Sequence, residues 1–188
     1  MNIKRTSRLF LLGIVLTLFS LVEARAAVLQ SDRAYAFSMP AEWRYVSEPV
    51  ATLMHQRTGV KLTLAHADSA MLKIEHDAAL GSEAYTLQIA DNDIVGRAGS
   101  VKGVNWAMAQ LAQLLSAAGG RPLECATLKS SPRFEHRGLM IDCSRHFRTI
   151  AELQSLIDAM NLLRLNILHL HLTDNQGWRL ALERFPEV

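Results

Sequence analysis

The sequence predicts an α/β protein: a small α+β domain followed by the first βαβ unit of a truncated (β/α)8 TIM barrel. Three observations predict it. Short runs of alternating polar and apolar residues, with one amphipathic helix, fill the stretch from Ala27 to about Ser131. Two further apolar runs, Arg137 to Cys143 and Asn166 to Leu172, flank a second amphipathic helix. Each of these runs ends in polar residues, Ser144-Arg145-His146 after the first and Thr173-Asp174-Asn175-Gln176 after the second.

The first 26 residues have the three parts of a secretory signal. Lys4, Arg5 and Arg8 form a basic start, Leu9 to Val22 an apolar core, and Ala24-Arg25-Ala26 a small-x-small cleavage motif. The apolar run falls short of the roughly 20 residues that a spanning helix needs. It therefore predicts export to the periplasm or medium, with cleavage near Ala26 and no stable membrane anchor. The formal charge of +2 is a property of this segment. Without it, 16 basic residues face 17 acidic ones, a balance that excludes a nucleic-acid footprint.

From residue 27 to 131 the sequence reads as one α+β domain. Alternation marks Ala34 to Met39, Val60 to Ala65, Met71 to Glu75 and Ala84 to Ala90 as strands. Gly81-Ser82-Glu83 reads as a turn, and Asp91-Asn92-Asp93 as a hairpin loop. A helix from about Val101 to Ala117 places Val104, Met108, Leu111 and Leu115 on one stripe. Gly119-Gly120 and Pro122 end it. Trp106 and Met108 on this helix read as core rather than as a ligand box. The domain is thus expected to be a sheet covered by one helix. Ser130-Ser131-Pro132 forms the linker.

Residues 132 to 188 read as the start of a barrel. Arg137 to Cys143 is expected to be a buried strand. Thr149-Ile150-Ala151-Glu152 is a capping box, in which hydroxyl and carboxylate satisfy each other's backbone N–H groups. The helix that follows, to about Arg164, would turn Ile150, Leu153, Ile157, Met160 and Leu163 inward. Glu152, Gln154, Asp158, Asn161 and Arg164 would mostly face water. A strand, a covering helix and a strand with short joins make a right-handed parallel unit. A complete barrel takes about 250 residues. The 57 residues from Pro132 hold two strands, so the barrel is expected to be truncated or the chain to be a piece of a longer one. Two strands alone leave a wide apolar face uncovered, which predicts aggregation or disorder from about Pro132 onward.

Barrel chemistry is built at the C-terminal ends of the strands. Arg145 follows the first strand and Asp174 the second, so both are candidates to line one pocket. Arg145 offers a rigid fork of donors for adjacent sugar hydroxyls or a carboxylate. Asp174 offers acceptors. A structural Arg145–Asp174 salt bridge fits the same positions. His169 and His171 share one face of the second strand, a metal-ligand arrangement that would make a barrel metallohydrolase. A polar core role fits them better, since no third ligand stands nearby apart from Asp174. Trp178 suits either stacking on a sugar or closing the rim. Cys125 and Cys143 are the only cysteines. Cys143, at the end of a buried strand, reads as a small core hydrophobe rather than a disulfide partner.

His136-Arg137-Gly138-Leu139-Met140-Ile141-Asp142-Cys143-Ser144-Arg145-His146-Phe147, together with His169-Leu170-His171-Leu172-Thr173-Asp174-Asn175-Gln176-Gly177-Trp178-Arg179, closely resembles the opening of the catalytic domain in glycoside hydrolase family 20, the β-N-acetylhexosaminidases. Gly103-Val104-Asn105-Trp106 and Gln113-Leu114-Leu115 resemble the helix of that family's small α+β domain, with Ala107 and Ala109 in place of Gly and Gln. The resemblance spans about Ala84 to Val188. It implies that Arg145 holds the hydroxyls of a terminal N-acetylhexosamine, and that Asp174 is the first acid of a pair whose second position is Asn175 here. It implies glycans carrying N-acetylglucosamine or N-acetylgalactosamine as partners. It also implies retaining, substrate-assisted catalysis, in which the acetamido oxygen attacks the anomeric carbon. No metal or organic cofactor is implied, because the substrate supplies the nucleophile. The family's catalytic Asp-Glu pair follows a later barrel strand. The acids after Asp174 are Glu183 and Glu187, neither preceded by Asp, so no catalytic acid is assigned within the 188 residues, and these alone are expected to be inactive. A non-catalytic carbohydrate-binding remnant is the alternative from another functional class.

Overall fold

The computed structural model describes residues 29–184. The basic start, apolar run and cleavage motif of residues 1–26 lie outside them. Alternating apolar residues build a six-stranded sheet from β1 (Ala34–Ser38), β2 (Lys61–Leu64), β3 (Leu72–His76), β4 (Tyr85–Ala90), β5 (Asp93–Ala98) and β6 (Ala126–Ser130). The spatial order is β2-β1-β3-β5-β4-β6. β1 runs parallel to β2 and β3, and β3 parallel to β5, while β4 is antiparallel to both β5 and β6. Each alternating run read from the sequence contains a strand. Ala90 pairs with Asp93, so Asp91-Asn92 closes a two-residue hairpin loop. Gly81 O accepts from Ala84 N at 2.9 Å, the turn expected at that place.

Two helices, not one, cover this sheet: α1 (Ser47–Thr58) and α2 (Val101–Ala118). α2 carries the expected stripe, with Val104, Met108, Leu111 and Leu115 buried against Leu72, Leu87 and Ile94. Trp106 is buried in the same core. α1 buries Val50 and Met54 alone, one i, i+4 pair, too short a pattern to announce a helix. Its Pro49 sits in the first turn, where a missing N–H costs nothing. β6 was also not foreseen: its residues alternate between half-buried and exposed, as an edge strand can.

The second part is β7 (Gly138–Asp142), α3 (Ile150–Leu162) and β8 (Ile167–His171). The two strands are parallel and in register from Gly138 opposite Ile167 to Asp142 opposite His171. The capping box is formed: Thr149 Oγ1 accepts from Glu152 N at 3.2 Å, and Glu152 Oε2 accepts from Thr149 N at 2.8 Å. The expected burial needs correction. Of the apolar stripe on α3, Met160 is buried, but Ile150 and Leu163 are 69% and 71% exposed. Leu139 and Met140 of β7 are exposed too, because this strand pair has no third strand beside it among the described residues.

Asn161 and Arg164, expected to face water, instead face the first domain. Asn105 Nδ2 donates to Asn161 Oδ1 at 2.8 Å, and Gln113 Nε2 to Leu162 O at 3.0 Å. Arg164 donates to Gln110 and to Ser130 Oγ, and its guanidinium lies 5.5 Å from the Tyr85 ring centre. Gly103 lets α2 approach closely, since a Cβ there would lie 2.5 Å from Ala84 O. Glu83 is the hub of this seam. It pairs with Arg137 and accepts from Trp106 Nε1 at 3.2 Å and Asn166 Nδ2 at 3.0 Å. Arg137 also donates to the carbonyls of Arg164 and Phe134, at 2.8 and 2.7 Å. Asn166 Oδ1 accepts from Arg137 N at 3.0 Å. One carboxylate of the α+β domain thus fixes the residues that start β7 and β8.

Candidate active site

β7 and β8 end together, because Asp142 and His171 are register partners. The backbone N–H groups of Cys143 and Ser144 both donate to His171 O, at 3.0 and 3.1 Å. Beyond β8 a small hairpin forms from β9 (Thr173–Asp174) and β10 (Gly177–Trp178). Ser144, fully buried, donates from Oγ to Gly177 O at 2.6 Å. Gly177 must be glycine, because a Cβ there would collide with Ser144 O. Arg179 closes the arrangement by donating to Cys143 O and Ser144 O, both at 3.0 Å. The two segments that carry Arg145 and Asp174 are therefore tied to each other through backbone groups.

Arg145 and Asp174 both follow the C-terminal ends of these neighbouring strands. They do not form the salt bridge that their positions allow. Arg145 pairs with Asp142, whose Oδ1 also accepts the Arg145 backbone N–H at 3.0 Å. Asp174 faces His171, with Nε2 and Oδ2 3.2 Å apart, and its Oδ1 accepts from Asn175 N at 2.7 Å. The side chains of Arg145 and Asp174 are 51% and 33% exposed, so they form an open rim.

The electrostatics join the two pairs. The Asn175 backbone N–H, the His171 hydrogen bond and the Arg145 charge hold the Asp174 carboxyl below the ordinary aspartate value. The Arg145 backbone N–H, its guanidinium and the His171 charge do the same for Asp142. Asp142 and His171 were not singled out as a set by sequence reasoning. The signal available was Asp142 three residues before Arg145, the spacing at which a carboxylate can reach both backbone and side chain of one residue.

The other sequence candidates fall elsewhere. His169 is exposed, and among the described residues no three His, Cys, Asp or Glu side chains converge as a metal site. Trp178 lies on the hairpin, 41% exposed. Cys143 is a buried free thiol and Cys125 an exposed one. A cleft of about 500 Å³ lies along the α2–α3 seam, lined by Asn105, Trp106, Met160 and Asn161. It belongs to the packing between the two parts and carries none of the strand-end chemistry. No helix among the described residues is long and apolar enough to cross a membrane.

Comparison with known proteins places these elements in a family. Residues 134–188 match the family model for the catalytic domain of glycosyl hydrolase family 20, and residues 21–129 that for domain 2 of the same family. A β-hexosaminidase of Akkermansia muciniphila is 35% identical over 159 residues, covering 81% of this chain and 31% of that protein. A β-N-acetylhexosaminidase of Cellulomonas fimi is 38% identical over 119 residues, covering 62% of this chain and 24% of that protein. A mutant Streptomyces plicatus β-hexosaminidase, solved in complex with its product GlcNAc, superposes with a TM-score of 0.73 at 28% identity, covering 86% of this chain and 34% of that one. The chain thus spans less than a third of the length of these two curated relatives. With one family model matching residues 21–129 and another residues 134–188, the α+β domain and the βαβ unit of a TIM barrel together show that the chain belongs to glycoside hydrolase family 20.

Proposed function

We propose that this chain supplies the α+β domain and the opening of the barrel to an exported glycoside hydrolase, which releases terminal β-linked N-acetylhexosamine by substrate-assisted, retaining catalysis. The observation that carries this reading is the pair Arg145 and Asp174, presented side by side at the ends of two in-register parallel strands. Arg145 donates to adjacent hydroxyls of the terminal sugar. Asp174, kept ionised by its neighbours, accepts hydrogen bonds and orients the groups around it. In the substrate-assisted route the acetamido oxygen attacks the anomeric carbon. A glutamate protonates the leaving oxygen, and the aspartate before it steadies the acetamido group. Those two residues belong to a later barrel strand. The glycans are those ending in N-acetylglucosamine or N-acetylgalactosamine. The basic start, apolar run and Ala24-Arg25-Ala26 direct the protein out of the cytoplasm.

The test is hydrolysis of a chromogenic N-acetyl-β-glucosaminide. The 188 residues alone are expected to release no chromophore. Joined in place of the matching region to the remaining barrel of the Akkermansia muciniphila relative, they are expected to restore turnover. An inactive but folded chimera, or turnover by the 188 residues alone, would count against this reading. Sequencing the N-terminus of the exported protein is expected to show cleavage near Ala26.

A further inference from the structure

β7 ends on Asp142, and both oxygens of this carboxylate go to one residue. Oδ1 accepts the backbone N–H of Arg145 at 3.0 Å, and Oδ2 holds the Nε–H of the same arginine. Among the described residues, no hydrogen bond engages the terminal amino groups of Arg145. The side chain of Asp142 is 19% exposed and that of Arg145 51%, so the anchor lies inside and the donors outside. A guanidinium is planar and carries its donors in a fixed fork. Holding Nε sets the plane and leaves the two terminal groups as a forward-facing donor pair. Asp142 is itself fixed, since it stands in register opposite His171, the residue that holds Asp174.

We propose that Asp142 is the positioning residue of the site: it orients the Arg145 guanidinium so that its terminal donors face the space beside Asp174 and take adjacent sugar hydroxyls there. The proposal rests on the reading that this space receives a sugar. A surface ion pair three residues apart adds little to stability. A structural role would therefore show in the melting temperature, and a positioning role in the state of Arg145.

The experiment uses the 188-residue chain labelled with 15N-arginine. The Arg145 Nε–H resonance is identified by its absence in Arg145→Lys. In the wild type it is expected to be shifted downfield and protected from exchange. In Asp142→Asn, which keeps an acceptor for the backbone turn, it is expected to move to the free-arginine position with little change in melting temperature. N-acetylglucosamine titrated into both proteins is expected to bind Asp142→Asn about tenfold more weakly, the scale of one lost charge-assisted hydrogen bond. A wild-type resonance at the free-arginine position would overturn the proposal, whatever the variant does. So would an Asp142→Asn protein with unchanged resonance and unchanged affinity. A protected resonance that Asp142→Asn releases, with no N-acetylglucosamine response in the wild type, upholds Asp142 as the positioning residue and overturns the sugar reading alone.

Discussion

Arg145 illustrates how much of a side chain's chemistry is set by its partners. As an isolated strand-end arginine it fits a salt bridge to Asp174 as well as a sugar-binding role. The pairing with Asp142 rules out the salt bridge, because it leaves Asp174 to His171 and the terminal donors of Arg145 without a hydrogen bond among the described residues. The carboxyl groups of Asp142 and Asp174 are both depressed by the donors around them. Groups depressed on folding contribute stability that is complete above the unfolded value, about 3.9 for aspartate, and lost as pH falls through the folded value. Carboxyl-carbon NMR titration is therefore expected to give midpoints for both residues below that of an unfolded aspartate, with the rim geometry intact throughout mild acid. A midpoint at or above it for either residue would break this description. The sequence exposed Arg145 and Asp174 because each stands two residues past an apolar run. It did not expose Asp142, which reads as one more residue of the Arg137 to Cys143 strand until the turn after it brings Arg145 back over its carboxylate.

At the scale of elements, legibility follows the strength of the apolar period. α2 is readable because four stripe residues repeat through it, while α1 offers one buried i, i+4 pair and β6 only a five-residue run with no fully buried position. The polar face of α3 was misread for a different reason. Asn161 and Arg164 look solvent-directed by composition, yet they bind Asn105, Gln110 and Ser130 across the seam. Long-range polar pairing has no local sequence signature. Glu83 is the strongest case, 83 residues from its partner Asn166 and 54 from Arg137. Burial raises the pKa of its carboxyl, but hydrogen bonds from Asn166 and Arg137, the Arg137 charge and the Trp106 N–H outweigh this and hold it below the ordinary glutamate value. Glu83 and Arg137 side chains are 10% and 16% exposed, so removing one partner strands the other. Glu83→Ala is expected to destabilise the chain by about 3 kcal/mol in denaturant unfolding. Hydrogen exchange is expected to rise most in β7 and β8. A loss under about 0.5 kcal/mol, as for a surface pair, would show that the seam does not depend on it.

At the largest scale, residues 29–184 form an α+β domain with its own core and a βαβ unit that borrows stability from it. The fold class was legible, since the order of periods and the capping box describe it without side-chain detail. The burial of its second part was not, because burial depends on neighbouring strands and periodicity reports only which face would be covered. Leu139 and Met140 on β7, Ile150 and Ile157 on α3, and Leu163 just past it remain exposed. Exposed apolar surface of this kind drives association. Sedimentation of the 188-residue chain is expected to show concentration-dependent self-association, and Met140→Lys with Ile157→Lys to reduce it. A strictly monomeric wild type at high protein concentration would contradict this. Against the disorder expected from about Pro132 onward, the Glu83 seam supplies the opposing force. The N-terminal residues of β7 are expected to be protected from exchange even where α3 is not.

The central claim is that Arg145 and Asp174 serve one bound sugar. A double-mutant cycle in the chimera that carries a complete barrel tests it most directly, with kcat/KM for a chromogenic N-acetyl-β-glucosaminide as the readout. Arg145→Ala and Asp174→Ala are each expected to lower kcat/KM by about two orders of magnitude, and the double variant by clearly less than the product of the two. Near-parental activity in either single variant, or losses that multiply fully, would contradict a shared site.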